Sequence, residues 1–370
     1  CYQIPFLVTN KCVIVISPLI SLMEDQMKQL EKLNIPNCCF NESIKYKNRL
    51  KNEILNGNYK IIYMTPEYCI NNSKFIQELY EEHEICCFAI DESHCVSQWS
   101  DISFRPEYGQ LNILRKVAPE VPILAVTATA SDKIQNDIIN TLNMLNTYKI
   151  TSSFDRPNLY IHINRKTKNI NEDLQEILLK HKNNSKIIYA KTREMTSKIS
   201  QSIRDLGIIS LPYHAGLSNE ERVNIQQKFM NNEINTIVAT IAFGMGINHK
   251  NIRLVVQYGC SNNIESYYQE IGRAGRDGNS SECYMFYSSM DFRLNRFFLK
   301  ELIDEEKKEY RENEIIKMEK FVYSTECRRK IILNHFGENY NEKCMNCDNC
   351  NRSKNMVEYD FTNFALSLFS

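Results

Sequence analysis

Three groups of residues in this sequence have types and spacings that can do chemistry. The first is Asp91-Glu92, two adjacent carboxylates that close an apolar run, Ile85 to Ile90, and precede Ser93-His94 and a lone tryptophan, Trp99. A strand that delivers an acid pair at its carboxyl end places it where open α/β sheets bind ligands. The matching chemistry is phosphoryl transfer, with Asp91 holding the magnesium ion of a nucleotide and Glu92 orienting and deprotonating a water. Taken alone, such a pair is equally a solvated strand end. The second group lies in "QEIGRAGRDG", where Arg273 and Arg276 stand three apart, a spacing that predicts one face of a helical turn. An arginine from a second lobe meets the charge developing on a γ-phosphate only when the lobes close. The plainer reading is a basic, glycine-rich loop on nucleic acid or solvent. The third group is Cys327, Cys344, Cys347 and Cys350, spaced C-x16-C-x2-C-x2-C. Four thiolates so spaced complete a tetrahedral structural zinc site with no open position, and "EKCMNCDNC" is too polar for a core of reduced cysteines.

The elements that must position these groups alternate. Apolar runs at Val13 to Ile16, Ile61 to Met64, Ile85 to Ile90, Ile123 to Val126, Lys186 to Ala190, Thr236 to Ala239, Leu254 to Tyr258 and Cys283 to Tyr287 read as strands. Segments such as Leu19 to Leu33 and Asn219 to Asn231 carry helical spacing between them. This alternation predicts crossover units and parallel sheets covered on both faces, in two α/β lobes with a break around Pro157. After Tyr287 the pattern turns helical, and "CRRKIILNHFG" predicts a helix ending at Gly337. The chain has 370 residues, enough for two to three domains, with 43% hydrophobic residues to bury. Lys+Arg and Asp+Glu both total 45, so a polyanion ligand needs a local basic groove, since no global field attracts it. Most of the fourteen cysteines read as buried free thiols, which favours a reducing compartment. No run of apolar residues is long enough for a membrane span.

The motifs "CYQIP", "SPLISLM", "TPE", "DESHCVSQW", "FRPEY", "TATA", "FDRPN", "YHAGL", "ATIAFGMGIN", "ESYYQEIGRAGRDG" and "CRRKIILNHFG" with the triple cysteine stand in one order along nearly the whole chain. Together they resemble the RecQ family of ATP-dependent DNA helicases. The resemblance implies an α/β fold of two RecA-like parallel-sheet lobes followed by a small helical zinc-binding subdomain. It divides the chain into lobe 1 (1–152), lobe 2 (153–289), the zinc subdomain (290–352) and the start of a winged-helix domain (353–370). It implies ATP, Mg2+ and Zn2+ as cofactors, single-stranded and duplex DNA as partners, and 3′-to-5′ unwinding in repair, recombination or replication. Residue by residue, Asp91 and Glu92 match the magnesium and water-activating acids, and His94 the residue coupling the ATP site to the DNA loop. Gln269, Arg273 and Arg276 match the arginine-finger motif, with Arg276 as the finger, and Gly246 falls in a loop facing DNA and nucleotide. Trp99, Phe104 and Arg105 match the loop that senses single-stranded DNA, and a flat aromatic beside an arginine stacks on bases regardless of sequence. Ser17, Thr65, Thr127 and His214 match positions along the DNA path or linking it to hydrolysis.

The sequence departs from this pattern in three places. "SDIS" after Trp99 is four residues where the family has three including a histidine, which puts the coupling of DNA to ATP in doubt. His249-Lys250 replaces the usual Lys-Pro, which reads as a tolerated loop change. No G-x-x-x-x-G-K-[ST] occurs, and none of the 11 glycines precedes a lysine. The expectation is a fragment of a longer helicase, nearly inactive as an ATPase by itself, in the nucleus of a eukaryote or otherwise the cytoplasm. The alternative is a non-catalytic, zinc-stabilised DNA-binding protein.

Overall fold

The computed structural model describes residues 1–41, 44–97, 106–241, 243, 249–300, 302–352, 360, 362 and 366. The first sheet has five strands: β1 (Cys12–Ile16), β2 (Asn37–Phe40), β3 (Ile61–Met64), β4 (Ile85–Ile90) and β5 (Ile123–Ala125). Their order is β2-β3-β1-β4-β5, and every pairing is parallel. Alternate residues feed two cores. Val13, Val15, Ile61, Tyr63, Cys87 and Ala89 face one side, and Ile14, Ile16, Ile62, Met64, Phe88 and Ile90 the other. A strand buried on both faces must be apolar at consecutive positions, which is why these runs do not alternate in the sequence.

The second sheet has six strands, β6 (Leu159–Arg165), β7 (Ser185–Ala190), β8 (Leu211–Tyr213), β9 (Thr236–Ala239), β10 (Ile252–Tyr258) and β11 (Ser281–Tyr287). They lie in the order β6-β11-β10-β7-β9-β8, again parallel throughout. Three strands escaped the sequence reading, and each for a reason. β2 is the four residues "NCCF"; β8, "LPY", is an edge strand that contains a proline; and β6 alternates buried with half-buried residues as an edge strand does.

Helices Ser289–Leu299, Glu305–Tyr323 and Arg328–His335 follow the second sheet, and Gly337 adopts the left-handed conformation that ends the last of them. Met318, Phe321, Ile332, Phe336 and Cys347 join the core that contains Ile187, Val255 and Met285, so this region and the second sheet share one core. It also covers the open edge of β6. Ile161 bridges to Cys347, the Ile163 N–H donates to Asp348 Oδ2 at 3.3 Å, and Arg329 Nη2 donates to the Leu159 carbonyl at 2.8 Å. An uncovered edge strand would expose a row of unpaired backbone groups. Asp348 is itself fixed by a buried pair of bonds from Arg328, 3.0 and 3.3 Å long. The segment "DFTNFALSLFS" lies almost wholly outside the described residues. Among the described residues no helix is long and apolar enough to cross a membrane.

Candidate functional site

The register of the first sheet aligns its carboxyl ends, so that Ser17 follows β1, Thr65 follows β3, Asp91 follows β4 and Thr127 stands just beyond β5. The Asp91 N–H is bound to the Ile16 carbonyl and that of Ser93 to Val126, which pins the acid pair to both neighbours. Asp91 Oδ2 accepts from Ser17 Oγ at 3.4 Å and from Tyr2 at 3.5 Å. Burial, then the adjacent charge of Glu92, raises the Asp91 carboxyl to about 6. A carboxyl held up by a like charge is one that a divalent cation relieves, so the pair fits a magnesium site by its own electrostatics.

Glu92 has φ +48°, in the left-handed region that costs a residue with a side chain about 1–3 kcal/mol. Burial raises its pKa, while the charges of Arg273 and Arg276 pull it back. His94, 3% exposed, is drawn down to about 4 by burial and is neutral. Its tautomer follows from its neighbour. The Thr127 hydroxyl donates to the Thr129 carbonyl at 3.3 Å, so His94 Nδ1, 2.9 Å away, must be the donor to Thr127 Oγ1. The same Nδ1 lies 3.4 Å from Glu92 Oε2. Nε2 is left as an acceptor, and Gln269 Nε2 approaches it at 3.5 Å while donating to Thr129 Oγ1 at 2.6 Å.

Gln269 belongs to the other lobe, on helix Ile264–Ile271, and it bridges to two residues of the first sheet's edge. The helix stops there. Arg273 and Arg276 therefore do not share a helical face, contrary to the spacing argument. They occupy the turn beyond the Gly272 cap, because Gly275 at φ +56° breaks the helical path. A Cβ on Gly275 would lie 2.4 Å from Asn158 Nδ2 and 2.8 Å from the Asn279 carbonyl, so only glycine fits. Sequence reasoning assigned no role to two residues that build this turn, although both stand in "FDRPN". Arg156 Nη2 donates to the carbonyls of Ala274 and Gly275 at 2.8 and 2.9 Å, and Asn158 Nδ2 donates to those of Gly275 and Asn279 at 2.9 Å each. Tyr189, bound to the Phe243 carbonyl at 3.0 Å, also bonds with Arg273. Arg276 keeps part of its surface in solvent, and partial desolvation followed by the Arg273 charge lowers its pKa.

The other expected site residues fall elsewhere. Ser17 and Thr65 are buried, and neither hydroxyl faces an open groove. The first is aimed at Asp91, and the second caps helix Pro66–Asn71 by accepting from the Tyr68 N–H at 3.3 Å. His214 follows β8 and stands beside Arg193 and Gly216. His249 is packed on Phe229 with ring centroids 4.9 Å apart and bonds Asn232 at 3.1 Å. Trp99, Phe104, Arg105, Gly246 and the "SDIS" segment lie outside the described residues.

Cys327, Cys344, Cys347 and Cys350 converge, with ligand sulfurs all within 4.8 Å of one another and Cys344 Sγ 3.9 Å from Cys350 Sγ. Tetrahedral zinc with Zn–S bonds of about 2.3 Å requires sulfurs about 3.8 Å apart, so the four residues fit that ion. Bonds with Cys344 and Cys347 draw the Cys327 thiol down, and the partner bond pushes Cys344 up. All fourteen cysteines are free of disulfides.

With this geometry in hand, the chain can be set beside known proteins. Residues 1–137 match the DEAD/DEAH box helicase model, 169–278 the helicase conserved C-terminal domain, and 289–351 the RecQ zinc-binding model. The third match decides between helicase families. The chain belongs to the RecQ family of helicases. Relatives in this family include the Haemophilus influenzae ATP-dependent DNA helicase RecQ, 40% identical over 95% of this chain and 56% of that protein. The Mus musculus bifunctional 3′-5′ exonuclease/ATP-dependent helicase WRN is 42% identical over 95% of this chain and 26% of its own length. A protein of Acanthamoeba polyphaga mimivirus, named as a candidate ATP-dependent RNA helicase, is 43% identical over 98% of this chain and 66% of its own length. The chain thus spans less than two thirds of each. Among solved structures, the helicase MrfA bound to DNA and AMPPNP matches with a TM-score of 0.62 at 16% identity, over 83% of this chain and 45% of that one. A Saccharomyces cerevisiae protein bound to RNA and ADP BeF3 matches with a TM-score of 0.59 at 15% identity, over 82% and 81%. The fold is therefore two RecA-like lobes of the RecQ arrangement, followed by a four-cysteine, zinc-binding region.

In the product of the full reading frame, Gln269→Ala should leave the lobes folded and cut any DNA-stimulated turnover of ATP about tenfold, since it removes a short bond worth about 1–1.5 kcal/mol between the lobes. Steady-state kinetics with and without DNA checks this, and unchanged stimulation by DNA would mean that the bridge carries no coupling.

Proposed function

We propose that this chain is the motor of an ATP-dependent DNA helicase that translocates 3′-to-5′ on one strand. The observation that supports this reading is the meeting of Asp91, Glu92 and His94 with Gln269, Arg273 and Arg276, contributed by different lobes. In this reading residues 1–152 and 153–289 are the two lobes, 290–352 brace the second, and 353–370 begin a winged-helix domain. Asp91 would hold a magnesium ion brought with the nucleotide, and that ion would supply neutralisation of phosphate charge. Glu92, its pKa raised by burial, orients the attacking water and accepts its proton. Arg276, with Arg273, meets the charge that builds on the transferred phosphoryl group. Neutral His94 donates Nδ1–H to Thr127, stands 3.4 Å from Glu92 Oε2, and links that corner of the site to Gln269 through Nε2. Closure of the lobes about ATP and reopening after hydrolysis then advance the strand. The exposed Thr127, on the turn that carries the Gln269 contact, links that motion to the DNA side. Trp99 and Arg105 supply the stacking contact with single-stranded DNA, as the resemblance implies.

The test is strand displacement by the product of the full reading frame that encodes this chain. Duplexes with 3′ or 5′ single-stranded tails, in DNA and in RNA, separate the readings. Faster unwinding of the 3′-tailed DNA substrate is expected, and a preference for RNA duplexes would favour the activity named for the mimivirus relative. The 370 residues alone, with no G-x-x-x-x-G-K-[ST] loop, should hydrolyse ATP only feebly.

A further inference from the structure

Outside the cleft and the cysteine quartet, one more cluster carries the donor set of a metal centre. Glu265, Glu314 and His335 come from three helices, Ile264–Ile271, Glu305–Tyr323 and Arg328–His335. One ligand atom from each lies within 4.8 Å of the other two. Glu265 is 8% exposed, Glu314 4%, and the His335 side chain 8%. Two carboxylates are thus buried in one place, beside Lys317 and His335. Glu314 Oε1 accepts from Lys317 at 2.7 Å, but Oε2 has no hydrogen-bond partner among the described residues. Neither oxygen of Glu265 makes a well-formed hydrogen bond, and its close contact is His335 Nε2, 2.8 Å from Oε1. Lys317, half-exposed, brings one positive charge to Glu314 Oε1, and His335 brings an imidazole to Glu265 Oε1. A divalent cation supplies two, accepts an oxygen from each carboxylate, and takes the imidazole lone pair at the same point.

We propose that Glu265, Glu314 and His335 form a second cation site, separate from the four cysteines, that takes a divalent first-row metal such as Mn2+ or Zn2+. The donor set selects that class. Two carboxylate oxygens with one imidazole nitrogen suit Mn2+, Fe2+ or Zn2+, whereas Mg2+ and Ca2+ prefer all-oxygen shells, and the absence of thiolate from the set disfavours Cu(I). Glu265 lies in the first turn of the helix that carries Gln269 and runs into the arginine turn. The other two ligands belong to the helices that lead to the cysteines. A metal here therefore fastens the arginine-bearing helix to the zinc-binding region, one helical turn before Gln269. The site is read from its own residues and stands whether or not the helicase reading does.

The experiment is an electron paramagnetic resonance titration with Mn2+ of the zinc-loaded protein without nucleotide. The protein carries Asp91→Asn to silence the acid pair of the cleft, and is compared with the same protein bearing Glu314→Gln or His335→Gln. One further Mn2+ is expected to bind the parent and to raise its melting temperature, with affinity falling at least about tenfold in either variant. Metal analysis should find the cysteine-bound zinc retained in all three proteins, which shows that the region stays folded. If the protein is isolated with a second, slowly exchanging metal, that metal should be missing from the variants. A parent that neither holds nor takes up a second metal overturns the proposal without reference to any variant. Equal binding in parent and folded variants overturns it as well, and leaves the cluster as an ion pair of protonated His335.

Discussion

Glu92→Gln is expected to reduce DNA-stimulated ATP hydrolysis about 10²–10⁴-fold, the range that a positioned general base contributes. The substitution keeps the size and shape of the side chain, so the KM for ATP should change little while kcat falls. Its effect on folding should be neutral or favourable. Glu92 is half-buried, and desolvation raises its pKa against the pull of Arg273 and Arg276, so its ionised form opposes folding at neutral pH, and an amide removes that cost. A melting temperature that stays level while turnover collapses is the signature of a residue whose work is chemical. Arg276→Ala should fall about as far, 10³-fold or more, because it removes the charge that meets the transferred phosphoryl group. It should also uncouple the lobes in a measurable way. With Arg276 gone, nucleotide should no longer draw the lobes together, and distance measurements between spin labels on the two lobes would report that. The double variant should be little worse than either single one, since base and arginine act on one transition state. Equal hydrolysis by parent and Glu92→Gln, both in the full reading frame, would remove phosphoryl transfer from this cleft.

How much of this was legible in the sequence depended on whether a residue's role is local. Strand interiors announce themselves, because a strand covered on both faces must be apolar without interruption, and β3, β4 and β9 run over the residues that the pattern gives. Three of the four edge strands, β2, β6 and β8, do not. β6 and β8 carry half-buried or proline-containing sequences that look like loops until their single neighbour is known. The site followed the same division. Asp91, Glu92 and the four cysteines are set by spacing along one segment, and the fold brings them together as read. The arginine turn is set by contacts more than 110 residues away in sequence, from Arg156 and Asn158 onto the carbonyls around Gly275. The helical spacing of Arg273 and Arg276 could not reveal that. For Ser17 and Thr65 the motif was visible but the burial was not. A small hydroxyl at a strand end serves a phosphate or its own fold equally well, and here it caps a helix or supports an acid.

Removal of zinc should act on one part of the molecule and spare another, and the division of the cores says where. A chelator, or Cys347→Ser, takes away the bonds that hold "EKCMNCDNC" against β6. Metal-linked folding free energies reach about 10–16 kcal/mol in small domains that have little else to hold them. This region also shares a hydrophobic core with the second sheet, so it should loosen at a smaller cost and take part of lobe 2 with it. The Ile163 amide loses its Asp348 acceptor, and the Leu159 carbonyl loses Arg329, so backbone protection along β6 should drop first. The buried Arg328–Asp348 pair would amplify the effect, since a desolvated ion pair whose geometry is broken becomes a liability. Among the described residues the cores of the first sheet contain none from beyond position 144, so β1 and β4 should keep their protection. Hydrogen exchange before and after chelation, with metal analysis showing about one zinc lost from the cysteines, reads both halves of this prediction. Uniform loss of protection across both lobes would mean that the zinc-binding region supports the whole molecule. An unchanged β6 would mean that Asp348 and Arg329 hold the edge without the metal.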